Sequence, residues 1–172
     1  MKGCDLMNIC EIKTNDVANG NKVVVSLWVS GCEHRCHGCF QKETWDVNYG
    51  RKFTNEDMEL ILNSIEANGI KRNFSVLGGD PTHPNNRDEV HSIILEVKEK
   101  FPDIEVWVWS GYTYERILNE FPWFLEGVDI LIDGRFVQEQ RDLMLMDRGS
   151  KNQRVIDVKE SLIQDKVVLY GI

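Results

Sequence analysis

Val23-Val24-Val25-Ser26-Leu27-Trp28-Val29 runs without a break into Ser30-Gly31-Cys32-Glu33-His34-Arg35-Cys36-His37-Gly38-Cys39-Phe40. The first half is β-branched and nearly all apolar, the composition of a strand buried on both faces. The second half holds three cysteines at C-x3-C-x2-C spacing, so the strand delivers three thiolates to one short loop. No fourth cysteine or histidine follows at metal-site spacing. A closed zinc site takes four protein ligands, and an ordinary iron–sulfur cluster takes four cysteines. Three ligands on a cuboidal cluster leave one iron open for a small molecule. His34 or His37 could instead complete a Cys3His zinc site. Both lie so near the thiolates, however, that joining the same tetrahedron from inside the loop is awkward.

Outward from this strand the pattern alternates. A helix opens at Thr54, with Asp57 at the capping-box position and an apolar stripe of Met58, Ile61, Leu62 and Ile65, and it ends at Asn68-Gly69. Phe74 to Leu77 reads as a second strand. Val90, Ile93, Ile94, Val97 and Phe101 mark a second helix, halted by Pro102. A third strand spans Ile104 to Trp109, a short helix Thr113 to Phe121, and a fourth strand Val128 to Ile132. Val155 to Val158 and Val167 to Tyr170 are candidate strands near the end. Alternation of this kind implies a parallel sheet with right-handed crossovers. A complete eight-fold barrel needs about 250 residues, and the chain has 172. The expected fold class is therefore α/β, a partial (open) βα barrel with a mainly parallel sheet, formed by residues 1–172 as a single domain.

Composition narrows the function. A net charge of -8 argues against a nucleic-acid-binding surface or an anionic-membrane anchor, without excluding a basic pocket. The N-terminal residues lack the apolar core of a signal peptide, and the apolar run Val23 to Val29 is too short to span a bilayer. Five cysteines, three of them clustered, do not make a disulfide framework. A cytoplasmic, reducing setting is expected. Cys4 and Cys10 read as ordinary thiols.

On the expected frame, the unusual segments share one edge. The cysteine loop follows the first strand, Gly78-Gly79-Asp80-Pro81 the second, Ser110-Gly111-Tyr112 the third and Asp133-Gly134-Arg135 the fourth. In parallel α/β folds that carboxyl edge is where ligands bind. Two glycines let backbone approach a ligand closely, and Asp80 adds a carboxylate, although a tight turn would use the same residues. Ser110 offers a hydroxyl at the mouth of the sheet. Trp107 and Trp109 read as core residues packed beneath flanking helices. Asp133-Gly134-Arg135 reads equally as a rim charge or a turn, and Gly149 to Arg154 as a loop. His83 and His91 read as surface or loop residues.

The cysteine spacing followed by an aromatic, with a Gly-Gly-acid-Pro turn after the next strand, resembles the radical S-adenosylmethionine superfamily. Further blocks narrow the resemblance: Thr44-Trp45-x-Val47-Asn48, Trp107-Val108-Trp109-x-Gly111-Tyr112, Asp133-Gly134-x-Phe136-Val137 and Gly149-Ser150-x-Asn152-Gln153-Arg154. Together they are similar to the family that activates anaerobic ribonucleoside-triphosphate reductase. Departures are His37 where proline is frequent, Leu77 where a small residue is common, and Lys151 inside the usual Ser-Ser-Asn-Gln.

The resemblance implies that Cys32, Cys36 and Cys39 hold a [4Fe-4S] cluster whose open iron takes S-adenosyl-L-methionine. It implies further that Gly38, Cys39 and Phe40 meet the adenosyl part, that Gly79 with Asp80 beside it receives the methionine amino group, and that Ser110 is a cofactor contact. The implied activity is reductive cleavage of S-adenosylmethionine and formation of a glycyl radical on the large subunit of the reductase. The electron would come from a flavodoxin- or ferredoxin-type donor. No catalytic residue beyond the cluster and cofactor is expected, and no nucleic-acid or membrane partner. Rival readings are an activase for another glycyl-radical enzyme, such as one resembling pyruvate formate-lyase, and a non-enzymatic zinc- or cluster-binding module.

Overall fold

The computed structural model describes residues 7–171. Four apolar runs form the parallel heart of the sheet: β2 (Val24–Val29), β4 (Asn73–Gly78), β5 (Val106–Trp109) and β6 (Ile130–Asp133). Their register sets Val29 beside Gly78 and Trp109 beside Ile132, which aligns their carboxyl ends on one rim. Antiparallel strands flank them: β1 (Asn8–Asp16) and β3 (Arg51–Lys52) on one side, β7 (Arg154–Asp157) on the other. The seven-stranded order is β3-β1-β2-β4-β5-β6-β7, and the sheet does not close. This is the expected open partial barrel.

Four elements differ from expectation, among them the two-residue β3 and a helix over Val158–Gln164, where a strand was expected to reach Val158. β1 was not expected, because Asn8-Ile9-Cys10-Glu11-Ile12-Lys13-Thr14 is mostly polar, and the strand keeps one face toward solvent. Val167 to Tyr170 forms no strand of its own. It runs along the outer side of β7, with Asp157 N donating to Val168 O at 2.9 Å and Tyr170 N to Val155 O at 2.9 Å.

Helices α1 (Asn55–Ile65), α2 (Arg87–Lys100), α3 (Tyr114–Glu120) and α4 (Val158–Gln164) cover one face of the sheet. The core lies between them. Alternate strand residues Val25, Leu27, Val29, Phe74, Val76, Val106, Val108 and Leu131 meet Ile61, Ile65, Ile94, Val97 and Ile117 there. The residues between them point to the other, concave face. That face carries Trp28, Leu77, Trp107 and Trp109. The tryptophans of β5 therefore do not pack beneath the helices as expected. Strand alternation turns them away, and Trp107 is buried with Ile130 and Ile132 in a second, smaller cluster.

The capping box at α1 is present in full. Thr54 Oγ1 accepts from Asp57 N at 3.3 Å, and Asp57 Oδ2 accepts from Thr54 N at 2.8 Å. Arg51 of β3 adds two bonds of 2.7 Å to the same carboxylate, which ties the sheet edge to the helix. That guanidinium holds the Asp57 carboxyl below its ordinary value of 3.8. The stabilisation is therefore complete above that pH and is lost as pH falls through the depressed folded-state value. Asp57→Ala is expected to lower stability at neutral pH by about 1–2 kcal/mol, read from the urea midpoint. The difference from the parent should shrink in strong acid; a constant difference across the titration would exclude the ionic part.

Candidate cluster and cofactor site

Ser30 to Phe40 leaves the end of β2 as an irregular loop held from three sides. Gly31 N donates to Thr44 O at 2.7 Å, Asp80 N donates to Gly31 O at 2.8 Å, and Gly79 N donates to Val29 O at 2.7 Å. The turn after β4 thus lies directly on the root of the cysteine loop. Gly79 is needed for that approach: a Cβ there would sit 2.6 Å from Gly31 O and 3.0 Å from Thr44 O. Asn86, buried just before α2, clamps both segments by donating to Ser30 O at 2.8 Å and to Asp80 O at 3.0 Å.

Cys32, Cys36 and Cys39 are half-buried free thiols, with Cys39 N donating to Cys36 O at 3.2 Å. Backbone N–H groups of His34 and Arg35 point at the Cys32 sulfur, yet burial and then the nearby Asp80 push its thiol up to about 12. Three free thiols in one loop, with backbone donors aimed at the first, are a donor set that fits an iron–sulfur group. Cys10 lies apart on β1, with its sulfur 3.1 Å from Ser30 Oγ. Cys4 is outside the described residues.

The histidines considered as zinc ligands have separate positions. His37 is exposed. The His34 side chain is 8% exposed, with Nε2 2.5 Å from Asp80 Oδ2. Ligand atoms of Cys32, His34 and Asp80 do lie within 4.8 Å of one another, but an ion among them would have to break that bond. Of the other two histidines, His83 lies in the turn after Asp80, and burial lowers its pKa. His91 is not in a loop: it sits on α2 against Trp123, with ring centroids 5.3 Å apart.

Asp80 is 1 % exposed, and both its oxygens are engaged. Oδ1 accepts from Thr82 N at 2.8 Å and from Thr82 Oγ1 at 2.6 Å; Oδ2 accepts from Gly111 N at 3.0 Å and from His34. Thr82 uses its only hydroxyl proton on Asp80, so Ser110 Oγ donates to Thr82 Oγ1, at 2.6 Å, and accepts from Tyr112 N at 3.0 Å. Ser110 therefore stands behind Asp80 in a directed chain of hydrogen bonds.

In front of this chain, on the concave face, is a cavity of about 440 Å³ lined by Cys39, Phe40, Gly78, Gly79, Trp28 and Trp109. Trp109 donates from Nε1 to Asp147 O at 2.7 Å, fastening a strap over residues 141–149 that supplies Leu143, Leu145 and Arg148 to the far wall. Gly38 lies under the Gln138 amide. The structure thus brings Cys39, Phe40 and Gly79 together at one cavity, with Asp80 and Ser110 as its support.

The later blocks support the rim. Asp133 is buried and takes Arg154 Nε at 3.0 Å, Arg154 Nη2 at 2.5 Å and Tyr114 N at 2.7 Å. Arg154 also pairs with Glu115 at 2.7 Å. Gln153 donates to Gly134 O at 3.0 Å, and Asn152 donates to Arg135 O at 2.7 Å. Gly149 to Arg154 is more than a loop: its polar side chains latch the end of β6 to the start of β7. Arg135 reaches the His34 carbonyl. Thr82 and Asn86 went unread in sequence. The Asp80-Pro81-Thr82 spacing of an Asx turn signalled the first, while nothing local signalled Asn86, whose partner Ser30 is 56 residues away.

Residues 18–156 match the family described as "4Fe-4S single cluster domain". A Vibrio cholerae protein named anaerobic ribonucleoside-triphosphate reductase-activating protein is 39% identical over 148 residues, 86% of this chain and 96% of its own. Proteins of the same name from Escherichia coli K12 and Enterobacteria phage T4 are 37% and 35% identical, over 97% and 93% of their lengths and 87% of this chain. By that agreement, the chain belongs to the 4Fe-4S single cluster domain family and, within it, to the anaerobic ribonucleoside-triphosphate reductase-activating proteins.

Proposed function

We propose that this protein activates an anaerobic ribonucleoside-triphosphate reductase by using S-adenosylmethionine to place a glycyl radical on its large subunit. The observation that carries the reading is a loop of three free cysteines whose third, Cys39, lines a cavity together with Phe40, Gly78 and Gly79. Its volume suits a cofactor-sized molecule, since such sites run from roughly 300 to 1,000 Å³.

Cys32, Cys36 and Cys39 would hold a [4Fe-4S] cluster. When bound, the cluster supplies one electron for cleavage of the sulfonium–carbon bond of S-adenosylmethionine, and a hydrogen atom of one reductase glycine passes to the freed 5′ carbon. The protein binds, orients and shields. Backbone at Gly38, Cys39 and Phe40 meets the adenosyl part, and Gly79 receives the methionine amino group. Asp80 and Ser110 fix the Gly79 turn from behind. The unclosed sheet leaves a way in for a glycine loop belonging to another protein. The reading implies a cytoplasmic setting and a flavodoxin- or ferredoxin-type electron donor. No helix among the described residues is long and apolar enough to cross a membrane.

Low-temperature electron paramagnetic resonance on anaerobically reconstituted, dithionite-reduced protein tests this. A [4Fe-4S]+ signal that changes shape when S-adenosylmethionine is added is the expected result. A silent, zinc-containing sample, or a cluster signal indifferent to the ligand, would overturn it and favour a binding module. Glycyl-radical formation on the ribonucleotide reductase, and not on another glycyl-radical enzyme, then fixes the partner.

A further inference from the structure

We propose that His34 is a positioning residue: its ring sets the cysteine loop against the Gly79 turn, so that one molecule can engage both at once. This deepens the proposed function and rests on it. His34 lies between Cys32 and Cys36, but its side chain turns out of the loop and inward, where it is 8% exposed.

Its contacts come from the loops after three other strands. Asp80, after β4, takes Nε2 at 2.5 Å. Gly111, after β5, is the floor beneath the ring, and any side chain there would overlap the imidazole. Gly111 N donates to the same Asp80 oxygen as His34 does, at 3.0 Å, so both donors share one acceptor. Tyr112 packs edge-on to the ring, with centroids 4.6 Å apart. From β6, Arg135 holds the His34 carbonyl. The residue thus joins the cysteine loop to every other loop of the parallel rim.

The energetic logic follows from burial. A buried hydrogen bond whose partner is removed leaves an unsatisfied group, which the structure relieves by shifting. Loss of the imidazole would free Asp80 on one side and leave a void beside Gly111. The Gly79 turn and the tip of the cysteine loop would then lose their side-chain tie, while the backbone bonds at Gly31 and the Asn86 clamp still hold the root of the loop. A molecule that binds to only one of them would feel little change; a molecule spanning cluster and Gly79 turn would lose affinity, since orientation between its two subsites is no longer fixed in advance. Glutamine, whose side-chain amide N–H can reach an acceptor much as Nε2–H does, restores the tie in part.

The experiment compares the parent protein, His34→Ala and His34→Gln in two states. In the cluster-loaded state, iron content, the reduced electron paramagnetic resonance signal and S-adenosylmethionine affinity are measured. His34→Ala is expected to retain iron close to the parent's while its affinity falls about tenfold or more, and the ligand-induced change of line shape is lost at concentrations that saturate the parent. His34→Gln recovers most of both. In the cluster-free state, amide hydrogen exchange of residues 79–83 is expected to quicken in His34→Ala and to stay near parental rates in His34→Gln. A parent signal that responds to S-adenosylmethionine, with His34→Ala responding equally, overturns the positioning role alone. Iron lost in proportion to affinity also overturns it, since His34 would then serve only the fold of its own loop. A parent indifferent to S-adenosylmethionine instead defeats the functional reading, and the exchange rates still decide whether His34 joins the two loops.

Discussion

Cys36→Ala is expected to yield a folded protein without a cluster and without the ability to form a glycyl radical. Cys36 is half-buried in a loop at the rim and belongs to neither apolar cluster of the sheet. Its backbone contribution, the carbonyl accepting from Cys39 N, survives the substitution. Removing one sulfur from such a place changes stability by roughly 0.5 kcal/mol or less, the ordinary range for sites outside the core. The effect on the cluster is of another order. Three cysteines are already one fewer than an ordinary cluster takes, and two cannot hold a cuboidal group. Iron and sulfide analysis with visible absorption should give a near-total loss, while far-ultraviolet circular dichroism keeps the parent's shape. Full iron content or undiminished radical yield in this variant would remove Cys36 from the ligand set, and with it the three-cysteine reading.

The second large effect is expected at Asp80. Each of its oxygens accepts two bonds, one pair from Thr82 and the other from Gly111 N and His34. Asparagine matches the shape but has one acceptor and one donor end. Whichever way its amide is turned, a backbone N–H, that of Thr82 or that of Gly111, faces an NH2 group inside a region that is 1% exposed. An unsatisfied buried donor costs about 1–3 kcal/mol, so Asp80→Asn should melt measurably earlier than the parent. Because the displaced element is the turn carrying Gly79, S-adenosylmethionine affinity should fall more than iron loading does, by about tenfold or more. Equilibrium dialysis of the loaded variant measures the first and iron analysis the second. Unchanged affinity would take Asp80 out of the site.

The parallel strands and the first three helices were legible because each depends on a local pattern. A strand covered on both faces must be apolar throughout, as Val24 to Val29 and Ile130 to Ile132 are, and a helix over a sheet must repeat its apolar residues at helical spacing, as Met58, Ile61 and Ile65 do. β1 escaped because its burial is set by neighbours, with Ile9 buried against the core while Glu11 and Asn15 face out. The cysteine loop and the Gly-Gly-Asp turn were legible through composition. Their joining was not. His34 meets Asp80 across 46 residues, and Ser110 meets Thr82 across 28. Side chains that act through tertiary partners carry no local signature, so the bond between the Ser110 and Thr82 hydroxyls could not be read from either segment.

The unclosed sheet has a consequence for solubility. A closed barrel has no edge, whereas an open sheet offers two rows of unpaired backbone groups on which other molecules can add strands. Here one border is β3, only two residues long and made of exposed Arg51 and Lys52. The other is β7, whose outer side is taken by the chain's own residues 168–170 through the Ile156–Leu169 bridge. A short cationic border on one side and a self-covered one on the other let the barrel stay open without inviting edge-to-edge polymerisation.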